Sequence, residues 1–196
     1  MSLFSRKPAS AAPSAQAEYR LMLDLDRARV LAGMIAQSRA SKVIEIGDLL
    51  AGMYISNWER LCRYWRGDDH DHVEEFLRGI CQISPQRWNA WITHYDGERQ
   101  KANQPKWKTF LQRNTLGETS IGPSASLTAV LKEAEGISPF RDNLNGHAIP
   151  ILTSESVLLS MARIPGSEIA KKLVESGLDA EKLEREARNP RGAAKN

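Results

Sequence analysis

Ile151-Leu-Thr-Ser-Glu-Ser-Val-Leu-Leu-Ser-Met-Ala-Arg163, continued by Ile164-Pro-Gly-Ser-Glu-Ile-Ala-Lys-Lys-Leu-Val-Glu-Ser-Gly177 and Leu178-Asp-Ala-Glu-Lys-Leu183, reads as three helices with their joints written between them. Thr153 or Ser154 can accept the N-terminal amides of the first helix. Pro165 suits the opening turn of the second, Gly177 a left-handed C-terminal stop, and Asp179 the cap of the third. A fainter copy of the opening lies at Val43-Ile-Glu-Ile-Gly-Asp-Leu-Leu-Ala-Gly-Met-Tyr54. The unit is built for packing and carries no evident chemistry of its own.

Working outward, Leu21, Leu25, Ala28, Leu31, Ala32 and Ile35 recur every three or four residues, one apolar face of a long helix whose opposite side holds Arg20, Asp24, Arg27 and Gln37. Residues 46–66 repeat the pattern with Leu49, Leu50, Met53, Ile55, Trp58, Leu61 and Trp65. No segment alternates with period two, so the chain is expected to be all-α. Gly67-Asp68-Asp69 breaks a helix, and Asp71-His72-Val73-Glu74 opens another with acids where a helix N-terminus favours them. Ser84-Pro85 starts a third, and a fourth runs from Pro105 through Trp107, Phe110 and Leu111. The division expected is a disordered Ala/Ser/Pro-rich leader over 1–14, a single domain over 15–188 and a basic tail over 189–196. Within the domain, a first unit spans 18–66, a helical Trp-rich insert 67–113 and a second unit 124–188.

Composition narrows the function. With 41% hydrophobic and 26% charged residues the chain can bury a core. Its formal charge of +3 comes from Arg6, Lys7, Arg188, Arg191 and Lys195, unopposed near the two ends, which leaves the folded part slightly negative. A face for DNA or RNA phosphates is normally basic, so no nucleic-acid partner is expected. The opening residues lack the continuous apolar stretch of a secretory signal, and no run approaches the roughly 20 apolar residues of a membrane span. Cys62 and Cys81 sit in half-buried helical patterns, as reduced core thiols do. A cytoplasmic location and no membrane partner follow.

The repeated motif resembles the N-terminal domain of Clp-type AAA+ unfoldases, which is built from two copies of a four-helix repeat centred on a Thr-Glu-His-Leu-Leu stretch. Ser154-Glu155-Ser156-Val157-Leu158-Leu159 lies on that stretch, and Leu173 to Leu183 runs along the rest of the repeat. Ile46-Gly47-Asp48-Leu49-Leu50 falls on the same place in the earlier copy. The likeness covers 124–188 well and 18–66 in part, with none between. Both family histidines are replaced, by Asp48 and Ser156. The resemblance implies two similar helical units related by a pseudo-twofold axis, superposing through the Leu49-Leu50 and Leu158-Leu159 helices, with Leu31, Ile35, Leu131 and Leu173 inward. It further implies a non-enzymatic module that docks a protein partner: a Clp-like ATPase, an adaptor or a client of a proteolysis, stress or secretion/defence machine. In some relatives the Glu of the motif in both repeats helps bind phosphorylated arginine; here Glu155 matches but its counterpart is Gly47, so the paired carboxylate is not expected. The candidate partner-binding residues are Gly47, Asp48, Glu155 and Ser156, at the starts of two equivalent helices with free amides and partial positive charge, and Trp91 and Trp107 of the insert.

Other constellations carry less. Trp58, Trp65, Trp88, Trp91 and Trp107 interleave with Arg60, Arg63, Arg66, Arg87, Lys106 and Lys108, as in a stacking platform for bases, but their helical spacing fits a core better. Asp68-Asp69-His70-Asp71-His72 offers metal-ligand residue types, with His94 further on; the run is contiguous and lacks ligand spacing. A small metal-dependent enzyme using His70, His72 and His94 is the rival reading; otherwise no metal, cofactor or catalytic residue is expected. Gly117-Glu-Thr-Ser-Ile-Gly122-Pro123-Ser124 mimics a phosphate loop but has Pro123 where the lysine belongs. His147 precedes Ser154 and Ser156 without a nucleophile elbow and reads as part of an exposed turn.

Overall fold

Apolar residues at helical spacing produce a mostly helical protein in the computed structural model, which describes residues 19–66, 70–102, 121–144 and 146–189. Helix α1 spans Leu23–Ser38, α2 Ile46–Leu61, α3 His70–Cys81 and α4 Pro85–Ala102. After these come α5 Ala125–Ile137, α6 Ser154–Arg163, α7 Glu168–Glu175 and α8 Ala180–Arg188. The expected leader, Trp107 and the helix from Pro105, and the tail from Pro190 onward lie outside the described residues.

Helices α1 and α2 pack against each other at unusually short range. A Cβ added to Gly52 would lie 2.2 Å from the carbonyl oxygen of Ala28 and 3.1 Å from the Ala32 amide nitrogen. Only a bare backbone fits there. Ala28, Ala32 and Ala36 keep the facing side of α1 small, while Leu25, Leu31, Ile35, Leu50 and Met53 fill the core around the crossing. Leu131, Leu158, Leu159 and Leu173 are buried as well, as the motif required. Helix α2 is interrupted at Asn57 (φ −156°, ψ 46°), so its last turn, which carries Arg60, leaves the line of the helix; Trp58, assigned to the buried pattern, is 40% exposed.

The joints of the second half follow the residues that wrote them. Ile164 to Ser167 form a turn closed by the Ser167 amide on the Ile164 carbonyl at 3.2 Å, with Pro165 and then Gly166 at φ +71° in the middle. That is the type II pattern. Ser167, not Pro165, opens α7 by accepting the Ala170 amide. Gly177 ends it at φ +88°, with the Leu178 amide reaching back to the Leu173 carbonyl at 3.2 Å. Asp179 caps α8 through the Lys182 amide at 3.0 Å.

The all-α expectation needs a correction, because the helices are accompanied by two small sheets. Strands β4 (Arg141–Leu144) and β5 (His147–Leu152) form an antiparallel hairpin, and β1 (Arg20–Leu21) joins β5 in parallel. Strands β2 (Val43–Ile44) and β3 (Gly122–Pro123) form a separate parallel pair. These parallel pairs tie distant parts of the chain. The Met22 amide donates to the Leu152 carbonyl, and the Ser124 amide to the Ile44 carbonyl, each at 2.9 Å. His147, expected in a turn, is the exposed first residue of β5.

Two glycine replacements separate close packing from helix propensity. Gly52→Ala drives a methyl into the Ala28 carbonyl and is expected to cost at least about 3 kcal/mol. Gly79→Ala in α3, where an added Cβ meets nothing within 4 Å, is expected to stabilise by about 0.5–1 kcal/mol. Chemical denaturation of both variants checks the pair, and a Gly52→Ala midpoint equal to wild type contradicts the close crossing.

Candidate functional site

The two helix starts singled out by the sequence are both closed by neighbouring elements. At the start of α2, Asp48 is fully buried: its carboxylate accepts the Glu45 amide at 2.9 Å and is ion-paired with Arg39. Burial raises the Asp48 carboxyl above its usual value, against the Glu45 amide and the Arg39 charge, which favour ionisation. Gly47 is covered by the end of α3; its carbonyl accepts the Cys81 thiol at 2.9 Å, and a Cβ on it would touch Ile80 at 3.4 Å. Helix α3 belongs to the expected insert, which therefore seals this end of α2.

At the start of α6, Thr153 accepts the Ser156 amide at 3.1 Å while Ser156 Oγ accepts the Thr153 amide at 3.0 Å, a reciprocal cap. Both are buried, and so is Glu155, at 4% exposure. The expectation that Glu155 is a surface acid at an open helix start is corrected: the last turn of α2 and the 3-10 turn Cys62–Tyr64 lie across it. Arg60 Nε donates to Glu155 Oε1 at 2.6 Å, Arg63 Nη2 stands 3.7 Å from the same oxygen, and the Tyr64 hydroxyl is 3.2 Å away. Around this pair the network widens. Arg60 also reaches Asp24 at 3.3 Å, Ser154 Oγ donates to Asp24 at 3.0 Å, and Arg63 pairs with Glu186 of α8 at 2.7 Å.

This cluster links α1, the end of α2, α6 and α8 through ion pairs and hydrogen bonds. Burial and then the Glu155 charge push the Tyr64 phenol well above its ordinary value, so it stays protonated and serves as a hydrogen-bond donor. The nearby serine hydroxyls are committed: Ser154 to Asp24, Ser156 to the Thr153 carbonyl at 2.9 Å and Ser160 to the Ser156 carbonyl at 3.0 Å. Among the described residues no three His, Cys, Asp or Glu side chains are grouped to share a metal ion. Asp68 and Asp69 lie outside them, while His70 and His72 open α3 and His94 lies within α4. Of the phosphate-loop mimic, Gly117 to Ser120 lie outside the described residues, and Gly122-Pro123 form β3 ahead of the Ser124 cap of α5.

Trp91 is half-buried against the core, and Trp88 is wholly buried, its ring 5.7 Å from that of Tyr54. Those two rings are part of the packing of the insert, as their spacing indicated. Sequence reading missed a groove between α3 and α7. Glu75, Phe76, Gly79 and Ile80 line one side, Lys172, Glu175 and Ser176 the other, around a space of about 390 Å³. Trp65 Nε1 donates to Ser176 Oγ at 2.9 Å, the Arg66 amide to the Gly177 carbonyl at 2.9 Å and the Asp179 amide to the Tyr64 carbonyl. These bonds stitch the end of the first half to the α7–α8 joint, beside the groove. The one sequence signal was Gly79, a glycine inside a helical pattern with no turn to make.

No protein-family model, curated protein or solved structure matches this chain. The likeness to Clp-type N-terminal domains therefore rests on the residues quoted above.

Removing the Glu155 charge should expose the cost of the cluster. Glu155→Gln leaves Arg60 and Arg63 facing a neutral amide; since each guanidinium keeps about a third of its surface in water, the expected loss is about 1–3 kcal/mol, read by denaturant unfolding. A loss within error of zero would mean that the carboxylate is not held as described.

Burial pushes the Cys81 thiol up to about 12, with the Asp48 charge adding, and raises that of Cys62. A thiol in the unfolded chain ionises near 9. The stability arising from this difference is full below pH 9 and is lost as the pH rises towards 12. Cys81→Ala should therefore lose less stability than wild type between pH 9 and 12, and in native wild type at pH 8 a thiol reagent should label neither cysteine until unfolding.

Proposed function

We propose that this chain is a non-enzymatic protein-binding module with the two-unit architecture of the Clp-type N-terminal domains it resembles, and that the α3–α7 groove receives the partner. The first unit runs β1–α1–β2–α2 and the second β3–α5–β5–α6, with the β4 arm of the hairpin added. Reciprocity supports the pseudo-twofold relation: each unit lends the strand before its first helix to the strand before the other's second helix. Both cross-unit amide bonds occupy the same place, the first-helix cap residue (Met22, Ser124) donating to the carbonyl just before the second-helix cap (Leu152, Ile44). The caps set the register. Asp48 and Ser156 both stand at the third helical position, so Leu49-Leu50 aligns with Val157-Leu158 rather than with Leu158-Leu159.

The observation that carries the binding role is the groove itself. Its walls are backed by different units, α3 packing on α2 and α7 on α6, so it spans their joint, with apolar Phe76 and Ile80 in its α3 wall. The partner class is the one the resemblance implies: a cytoplasmic Clp-like ATPase, an adaptor or a client protein. Gly47, Asp48, Glu155 and Ser156 then act behind the docking surface by fixing α2 and α6, and Trp91 by packing the insert.

Affinity capture from the native cell tests the reading with a variant that fills the groove. Gly79→Leu places a side chain in open space and favours the helix, so the thermal midpoint should not fall while recovery of the specific partner drops about tenfold, equivalent to about 1.4 kcal/mol. Equal recovery by wild type and variant rejects the groove as the docking site.

A further inference from the structure

The two walls of the α3–α7 groove are tied to one another by Tyr64, Trp65 and Arg66. Trp65 is buried, and its Nε1 donates to Ser176 Oγ at 2.9 Å, while that hydroxyl donates to the Leu173 carbonyl at 2.8 Å. Ser176 lines the groove, so the indole holds a residue of the α7 wall. The backbone on either side adds to this. The Asp179 amide donates to the Tyr64 carbonyl at 2.6 Å and the Arg66 amide to the Gly177 carbonyl at 2.9 Å. Tyr64 is itself fixed, its hydroxyl lying 3.2 Å from Glu155 and 2.9 Å from Glu186. His70, the first residue of α3, follows Arg66 by four positions, a step of at most about 14 Å. The chain that enters the α3 wall is therefore bound to the end of the α7 wall.

These bonds are not what forms the α7–α8 joint, because the α3–α4 joint closes through the same local contacts. Gln82 takes a left-handed angle (φ +53°) as Gly177 does (φ +88°). The Ile83 amide reaches back to the Arg78 carbonyl at 3.1 Å, as Leu178 does to Leu173 at 3.2 Å. Ser84 then accepts the Arg87 amide, as Asp179 accepts that of Lys182. Local chemistry suffices to turn one helix into the next, and the contacts from residues 64–66 are left to decide where the α7 wall stands relative to α3. We infer that Trp65 is a positioning residue of the docking site: by holding Ser176 it sets the separation of the two walls, so the groove has its binding width before a partner arrives. This rests on the reading of the groove as the docking site. A pre-set groove loses less of its contact energy to the ordering of its walls. Phenylalanine, which lacks the indole N–H, cannot supply the bond.

Nitroxide labels on Glu75→Cys, at the α3 rim, and on Val174→Cys, exposed on α7 outside the groove lining, report the separation of the walls by double electron–electron resonance. Cys62 and Cys81 are buried and stay unlabelled. The expected result is one narrow distance distribution for the labelled chain, which broadens and moves to longer distance in Trp65→Phe. Ser176→Ala, which keeps the indole and removes its acceptor, should do the same. The double variant should add nothing further, since both changes remove one bond. Ile35→Val, a loss of core packing in α1 that leaves residues 64–66 untouched, should lower the denaturation midpoint and leave the distribution unchanged. An unchanged distribution in Trp65→Phe overturns the positioning role; if that variant does not fold, an unchanged distribution in Ser176→Ala does so. A shift of equal size in Ile35→Val overturns it too, because the effect is then general loosening. Partner capture is scored separately. Recovery unaffected by Gly79→Leu rejects the docking site and leaves the spacing result standing, whereas recovery lost with Gly79→Leu but kept in Trp65→Phe shows that the partner does not depend on the width and rejects the inference alone.

Discussion

A carboxylate taken almost completely out of water organises the middle of this protein. Glu155 stands at the second position of α6, where the helix dipole favours an acid, but it is buried, and a buried charge is tolerated only when matched. The match comes from the other half of the chain. The break at Asn57 turns the end of α2 so that Arg60 reaches Glu155, and the 3-10 turn that follows brings Arg63 and Tyr64 to the same carboxylate. Glu186 then completes the pairing of Arg63, which fixes α8. One acid at a helix start thereby ties the end of α2 and the 3-10 turn after it to α6, and through Arg63 to α8.

Much of the helical frame could be read from the residues because its signals are local. Thr153, Ser167, Asp179 and Gly177 act at the caps through their own side chains or backbone angles, and Leu25 to Ile35 mark a face that is buried. The strands were not legible for the opposite reason. Three of them are two residues long, too short for alternation to register, and each forms only because a distant segment lies alongside. The hairpin did leave a trace, since Asn145-Gly146 between two short runs is a strong two-residue turn signal, and Leu144 pairs directly with His147. Pro150 and the partial burial of both faces hid it by breaking the period expected of β5.

The helix starts at Asp48 and Glu155 were placed correctly in the sequence, but their solvent exposure was not. Asp48 and Glu155 stand at helix starts, as their spacing indicated, but whether a helix start is open depends on what is laid over it. The end of α3 covers one and the end of α2 the other. Neither cover is visible in the local sequence, because Cys81 lies far along the chain from Gly47, and Arg60 farther still from Glu155. The α3–α7 groove was hidden in the same way: its walls come from two helices almost a hundred residues apart, and only the unexplained Gly79 hinted at it.

The interleaved parallel strands join the two halves through the backbone as well as through the covalent chain: β1 of the first half is held by β5 of the second, and β3 of the second by β2 of the first. The topology is also that of a split protein: two separately made fragments, each missing the strand its partner supplies, would fold by finding one another.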